Sequence, residues 1–384
     1  MSQFNPIKRA VNPDYMYYDI QINNHSLTTN DPTPLTFSET RNGGVVPNTG
    51  DYSMSIIRFQ LDTPSLPVFI PDIQDNQSDP NLTTYSITLE YDNAGVKTST
   101  NANYVLWIPN LKYVNTPPPP SQNSNGLQSE SPYYYCYSYD YLMSLINTCF
   151  TTAMNSLKTL VGTISTVDPP YMVWKDGLAT IYGEHPHFDL SQSTHINIYF
   201  NRSLYSLFSS FPVERYDITT TNNRIYKLLM NPFNGWRYSK DSLISGNKQL
   251  IRLSQEYSTT NVMSPVSSIV FTTSSIPIVP NQMSGPLVYV NNSIVRTTKN
   301  NNAFALVITD MAVDGSFESS VLYNPSGEYR RIDMTGNSPL NNIDIQVYWK
   351  NKKGELVPFY LWSGCSCSIK LLFEKKEKVK LEGL

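Results

Sequence analysis

Only one stretch of this sequence, Tyr139 to Val161, repeats its apolar residues with the period of a helix. Tyr141, Leu142, Leu145, Ile146, Cys149, Phe150, Ala153, Met154, Leu157 and Leu160 fall at i, i+3, i+4 and i+7 spacing. Thr, Asn, Ser and Lys fill the other face, so the apolar stripe reads as core and not as a cofactor site. Nearly every other apolar run is short and alternates with period two, which places successive side chains on opposite faces of a strand. The plainest are Tyr17–Ile22, Tyr52–Leu61, Tyr85–Tyr91, Tyr104–Ile108, Leu178–Tyr182, His195–Phe200, Ser267–Thr272, Ala303–Ile308, Ile343–Trp349 and Ser366–Phe373. Turn signals separate them, among them Asp92-Asn93-Ala94-Gly95 and the stretch Lys350 to Glu355 with Gly354. One helix among many short strands restricts the fold to a mostly β class. The expected architecture is a mostly β jelly-roll or β-sandwich that carries one main α-helix.

Composition agrees: 27 Tyr and 27 Pro stand against a charged share of 15% in 384 residues, where about 25% is usual for a soluble domain. Tyr and Thr suit half-buried pleated surfaces, and Pro and Asn suit turns. The segments predict a flexible arm over 1–14, a Pro-rich loop at 117–132 and a charged tail at 375–384. Tyr133 to Tyr139 reads as a strand whose alternate tyrosines line the core, with a sugar or protein contact surface as the rival reading.

Function classes are narrowed mainly by what the chain lacks. A net charge of −3 gives no global attraction for nucleic acid. Four cysteines are too few for a disulfide framework and read as buried thiols. Met1 to Asp14 has no signal-peptide design, and no run reaches the length of a membrane span. The strongest metal candidate is Glu184-His185-Pro186-His187 with Asp189 and His195. Pro186 and Gly183 make that segment a turn, and no third ligand is well spaced, so no metal or other cofactor is expected. No nucleophile elbow or phosphate loop occurs, so no catalytic residue is assigned and a non-enzymatic protein is expected.

The order of elements resembles the penton-type or minor capsid proteins of eukaryotic DNA viruses, a group spanning adenoviruses, Polinton-like elements and virophages. The residues that carry the resemblance lie in three places. First is Tyr52 to Phe59 with Leu66-Pro67-Val68-Phe69-Ile70-Pro71. Second is Tyr133 to Tyr139 and the helix, leading to Ile198-Tyr199-Phe200-Asn201 and Leu204 to Phe208. Third is Tyr323 to Tyr329, continuing through Ile343 to Trp349 and Ser368 to Phe373. The resemblance implies a discontinuous jelly-roll domain drawn from both ends of the chain, 15–116 and 240–374, with an inserted α+β region at 133–239 that carries the helix. It further implies a structural subunit of a capsid vertex, five copies around it, and major capsid proteins as neighbours in the virion. Phe4, Lys8, Arg9 and Tyr15 are the expected subunit contacts. A major capsid protein of the same lineage, a carbohydrate-binding attachment protein and a glycoside hydrolase with paired carboxylates remain as alternatives.

Overall fold

The computed structural model describes residues 14–25, 32–74, 78–111, 117–120, 131–216, 224–241, 248–279, 287–290, 293–296, 306–313, 319–324 and 331–376. The chain divides into two compact units, one of residues 1–66 and 266–384 and the other of residues 67–265.

Eight of the first unit's described strands form its two main sheets: β1 (Tyr15–Asn23), β2 (Thr36–Thr40), β3 (Tyr52–Asp62), β4 (Val266–Thr273), β5 (Leu306–Ala312), β6 (Ser320–Tyr323), β7 (Asn342–Asn351) and β8 (Ser366–Lys375). One sheet runs β1-β8-β3-β6 and the other β5-β4-β7-β2, with antiparallel pairing throughout. Four of these pairs are nested in sequence: β4 with β5, β3 with β6, β2 with β7, and β1 with β8. That nesting is a long hairpin wrapped into two sheets, the jelly roll. Period-two patterning turns Phe59, Phe271, Ile345 and Leu371 inward, and the Phe59 and Phe271 rings meet at 4.8 Å between the sheets. The turn after β7 has Gly354 at φ +84°, as its sequence requires.

The second unit is inserted between β3 and β4. Helix α1 (Tyr139–Leu160) buries the predicted stripe from Leu142 to Leu157 against the strands Leu82–Asn93, Asn103–Leu106 and Tyr171–Lys175, while Tyr141 is half-buried and Leu160 exposed. Phe150 reaches Phe200 at 6.3 Å, and the buried apolar cluster runs from Val68 to Met263, wholly within this unit. The limits fall outside the sequence expectation of 116 and 240. Leu82–Asn93 pairs with Thr194–Phe200, and Leu250–Ser254 pairs with Leu178–Glu184, so both belong with the insert and not with the jelly roll. Tyr133 and Tyr134 are both buried because Pro132–Tyr134 is a 3-10 turn and not an alternating strand. Tyr133 hydroxyl donates to Asn81 Oδ1 at 2.6 Å and Tyr134 hydroxyl to the Pro80 carbonyl at 2.8 Å.

Candidate functional site

The histidine-bearing segment of the insert is a tight turn. Phe188 N–H donates to the Glu184 carbonyl at 3.2 Å, and Asp189 N–H to the Pro186 carbonyl at 3.1 Å. Phe188 folds back over Gly183 so closely that a Cβ there would sit 2.7 Å from the ring. Asp189 is buried and accepts from Ser191 N–H (3.0 Å), Ser191 hydroxyl (2.7 Å) and Tyr238 hydroxyl (2.8 Å). Burial opposes its charge, but these donors outweigh burial and hold the carboxyl below its ordinary range. His185 Nε2 lies 3.5 Å from Asp189, and Lys240 Nζ lies 3.9 Å from it. Burial, then the Lys240 charge, pushes the His185 imidazole down, toward the neutral form. His187 contributes its carbonyl to Ile196 N–H at 2.6 Å, and His195 Nδ1 donates to the Gln192 carbonyl at 2.7 Å. The His185 and His195 rings therefore have separate partners, and His187 is held through its main chain. Among the described residues no group of three or more His, Cys, Asp or Glu side chains is placed to hold a metal. The cluster ties the strands Leu178–Glu184, Thr194–Phe200 and Tyr238–Asp241 together.

A different surface stands out at the edge of the jelly roll. β1 is the outermost strand of its sheet, paired to β8 without a bulge from Tyr15↔Glu374 to Asn23↔Ser366. Tyr18 and Ile20 face the core, whereas Tyr15 is 56% and Tyr17 58% exposed. Lys370 Nζ sits 5.4 Å from the Tyr17 ring centroid, a cation over an aromatic face. The same lysine pairs with Asp19 at 3.5 Å, and Arg58 approaches Asp19 at 4.0 Å. Tyr18 hydroxyl donates to Glu39 Oε2 at 2.5 Å, and Arg41 Nε bonds Glu39 Oε1 at 2.9 Å. Those two donors, Tyr18 first, hold the Glu39 carboxyl down, and they link β1 to β2 in the facing sheet. Of the expected contact residues, Tyr15 lies on this exposed strand, while Phe4, Lys8 and Arg9 lie outside the described residues. Tyr17, Asp19 and Lys370 escaped sequence reading. The run alternates plainly, but which strand becomes an edge depends on a partner more than 340 positions away.

The chain matches the family described as Sputnik minor capsid protein V18/19 over residues 16–375. It belongs to that family. Two curated relatives are shorter proteins of Sputnik virophage. "Uncharacterized protein V18" is 33% identical over 166 residues, covering 42% of this chain and 95% of the relative. "Structural protein V19" is 26% identical over 203 residues, covering 52% of this chain and 91% of the relative. A chain in the 3.5 Å cryo-EM structure of the Sputnik virophage superposes with a TM-score of 0.77 and 26% identity, over 95% of this chain and 98% of that one. The crystal structure of SeMet-labelled mavirus penton protein superposes with a TM-score of 0.57 at 14% identity, over 94% of this chain and 100% of that one, a likeness of fold alone. For this V18/19-family member the matched span runs from the second residue of β1 to the last residue of β8.

Proposed function

We propose that this protein is a structural subunit of a virus capsid, placed at the vertex, where five copies close a ring and touch major capsid proteins at their sides. The observation that carries the reading is the jelly roll with nested strand pairing and a helix-bearing insert between β3 and β4. The fold superposes along 94% of the chain on the mavirus penton protein. Membership in a minor capsid family supports the same reading. The work expected of such a subunit is binding other subunits, not chemistry. The ionisable clusters fit that: Asp189, Glu90 and Asp344 are each occupied by several protein donors.

Light scattering on the purified chain across salt and protein concentration tests the reading. The expected result is a closed species of about five times the 43.6 kDa chain mass. A trimer would reassign the protein as a major capsid or attachment subunit. A monomer at every condition, with sugar binding or turnover of a polysaccharide, would replace the vertex reading altogether.

A further inference from the structure

We propose that the free edge of β1 is a strand-acceptor site, and that its occupant is the N-terminal segment, residues 1–13, of a second copy of this chain. The inference rests on the ring reading above and names the contact that would hold neighbouring copies together.

Backbone parity defines the site. Lys375 N–H donates to the Asp14 carbonyl at 2.8 Å, and Asn24 N–H donates to the Cys365 carbonyl at 3.0 Å. Even-numbered residues therefore direct their main-chain groups toward β8. With no bulge in the register, Tyr15, Tyr17, Asp19, Gln21 and Asn23 direct theirs away from it. β1 is the end strand of its sheet, so that row of donors and acceptors has no neighbouring strand among the described residues. Proteins guard such rows with Pro, Lys, bulges or short strands. β1 has none of these: it is nine residues long, Tyr-Met-Tyr-Tyr-Asp-Ile-Gln-Ile-Asn, and the longest edge strand among the described residues. Its rival edges are shorter, such as Val213–Arg215 and Tyr238–Asp241.

Reach and backbone chemistry select the occupant, because the carboxylates of this segment already have cations, Asp14 with Lys375 at 3.9 Å and Asp19 with Lys370 at 3.5 Å. Residues 1–13 lead through Asp14 into β1. Between Pro6 and Pro13 every residue from Ile7 to Asn12 retains its N–H, as a pairing strand requires. Thirteen extended residues span up to about 45 Å, enough to reach an adjoining copy. An added strand recognised by main-chain bonds, with alternate side chains over Tyr15 and Tyr17, is a known mode of peptide recognition.

The test separates donor from acceptor. Gln21→Pro blocks the edge without removing a bond to β8, because the residue 21 N–H points outward. Deleting residues 1–13 removes the donor and leaves the family-matched span intact. Both variants should keep the wild-type melting temperature within a few degrees and run as monomers by light scattering. An equimolar mixture should give a dimer, since one partner supplies the segment and the other the edge. A labelled peptide of residues 1–13 should bind the deletion variant and lose at least tenfold in affinity when Gln21→Pro is added. Assembly of Gln21→Pro like wild type overturns the proposal. Monomers in the mixture overturn it too, by showing that the segment serves its own chain. Peptide binding to the edge in a chain that never forms rings would sink the ring reading while upholding the edge.

Discussion

Asp344, on β7, is nearly buried and charged, and its surroundings explain both. It accepts from Thr273 Oγ1 (2.5 Å), Ser274 N–H (2.7 Å), Ser274 Oγ (2.7 Å), Ser275 N–H (2.9 Å) and Ser275 Oγ, so it pins the corner where β4 ends. Burial pulls its pKa up, but the hydroxyls of Ser275, Thr273 and Ser274 and the Ser274 N–H overcome this and bring it down to about 2. A carboxylate with a depressed folded pKa stabilises the fold above its unfolded value, and that contribution is lost as pH falls through the folded value. The window here is from about pH 4 to about pH 2, and the shift corresponds to about 2.5 kcal/mol. Asp344→Asn would turn its amide donor toward one of the two backbone donors as well as losing the charge. Urea unfolding at pH 7 should show a loss of about 2–4 kcal/mol, and the variant should lack the wild-type decline between pH 4 and 2. Equal stability, or an unchanged acid decline, would remove Asp344 from this role.

At the scale of the element, α1 joins legible and illegible features. Its span was readable because ten apolar positions keep helical period, and the structure ends it at Leu160 beside the expected Val161. Nothing in the sequence marks Asn147, on the polar side, as a structural residue. Yet its Nδ2 donates to the Met172 carbonyl at 2.9 Å and its Oδ1 accepts from Met172 N–H at 2.7 Å, completing an edge strand with a side chain. Asn147→Leu would strand both backbone groups, and unfolding free energy should fall by about 2 kcal/mol in urea titration. A change below about 0.5 kcal/mol would show that water replaces the amide. The same contrast holds for strands. Leu82–Asn93 was recognisable by alternation, but its assignment to the jelly roll failed because pairing with Thr194–Phe200 spans a hundred residues that local pattern cannot see. The histidines of 185–195 were visible as a group. That the His185 ring meets Asp189 and the His195 ring meets the Gln192 carbonyl depends on the turn geometry that Gly183 permits under Phe188.

On the scale of the whole molecule, the nested pairs β1–β8, β2–β7, β3–β6 and β4–β5 need nothing from residues 67–265 to close, and the insert's apolar cluster draws on nothing outside that span. Loop-closure entropy rises slowly with length, so a connection between β3 and β4 tolerates an insertion of this size provided the insertion has its own core. Leu66–Pro67 and Pro265–Val266 are the junctions, and each carries a proline suited to leaving a strand. The two units are therefore expected to fold separately. Residues 67–265 expressed alone should give a soluble protein with one cooperative thermal transition and a near-UV circular dichroism signal from its packed tyrosines. The complementary chain, with that span replaced by a flexible Gly/Ser linker of about 12 residues, should do the same and should retain any ring-forming ability that resides in the β1 edge. Aggregation of both halves would mean that the cores stabilise each other and that the jelly roll is incomplete without its insert. A folded jelly roll that no longer assembles would move the subunit contacts from β1 into residues 67–265.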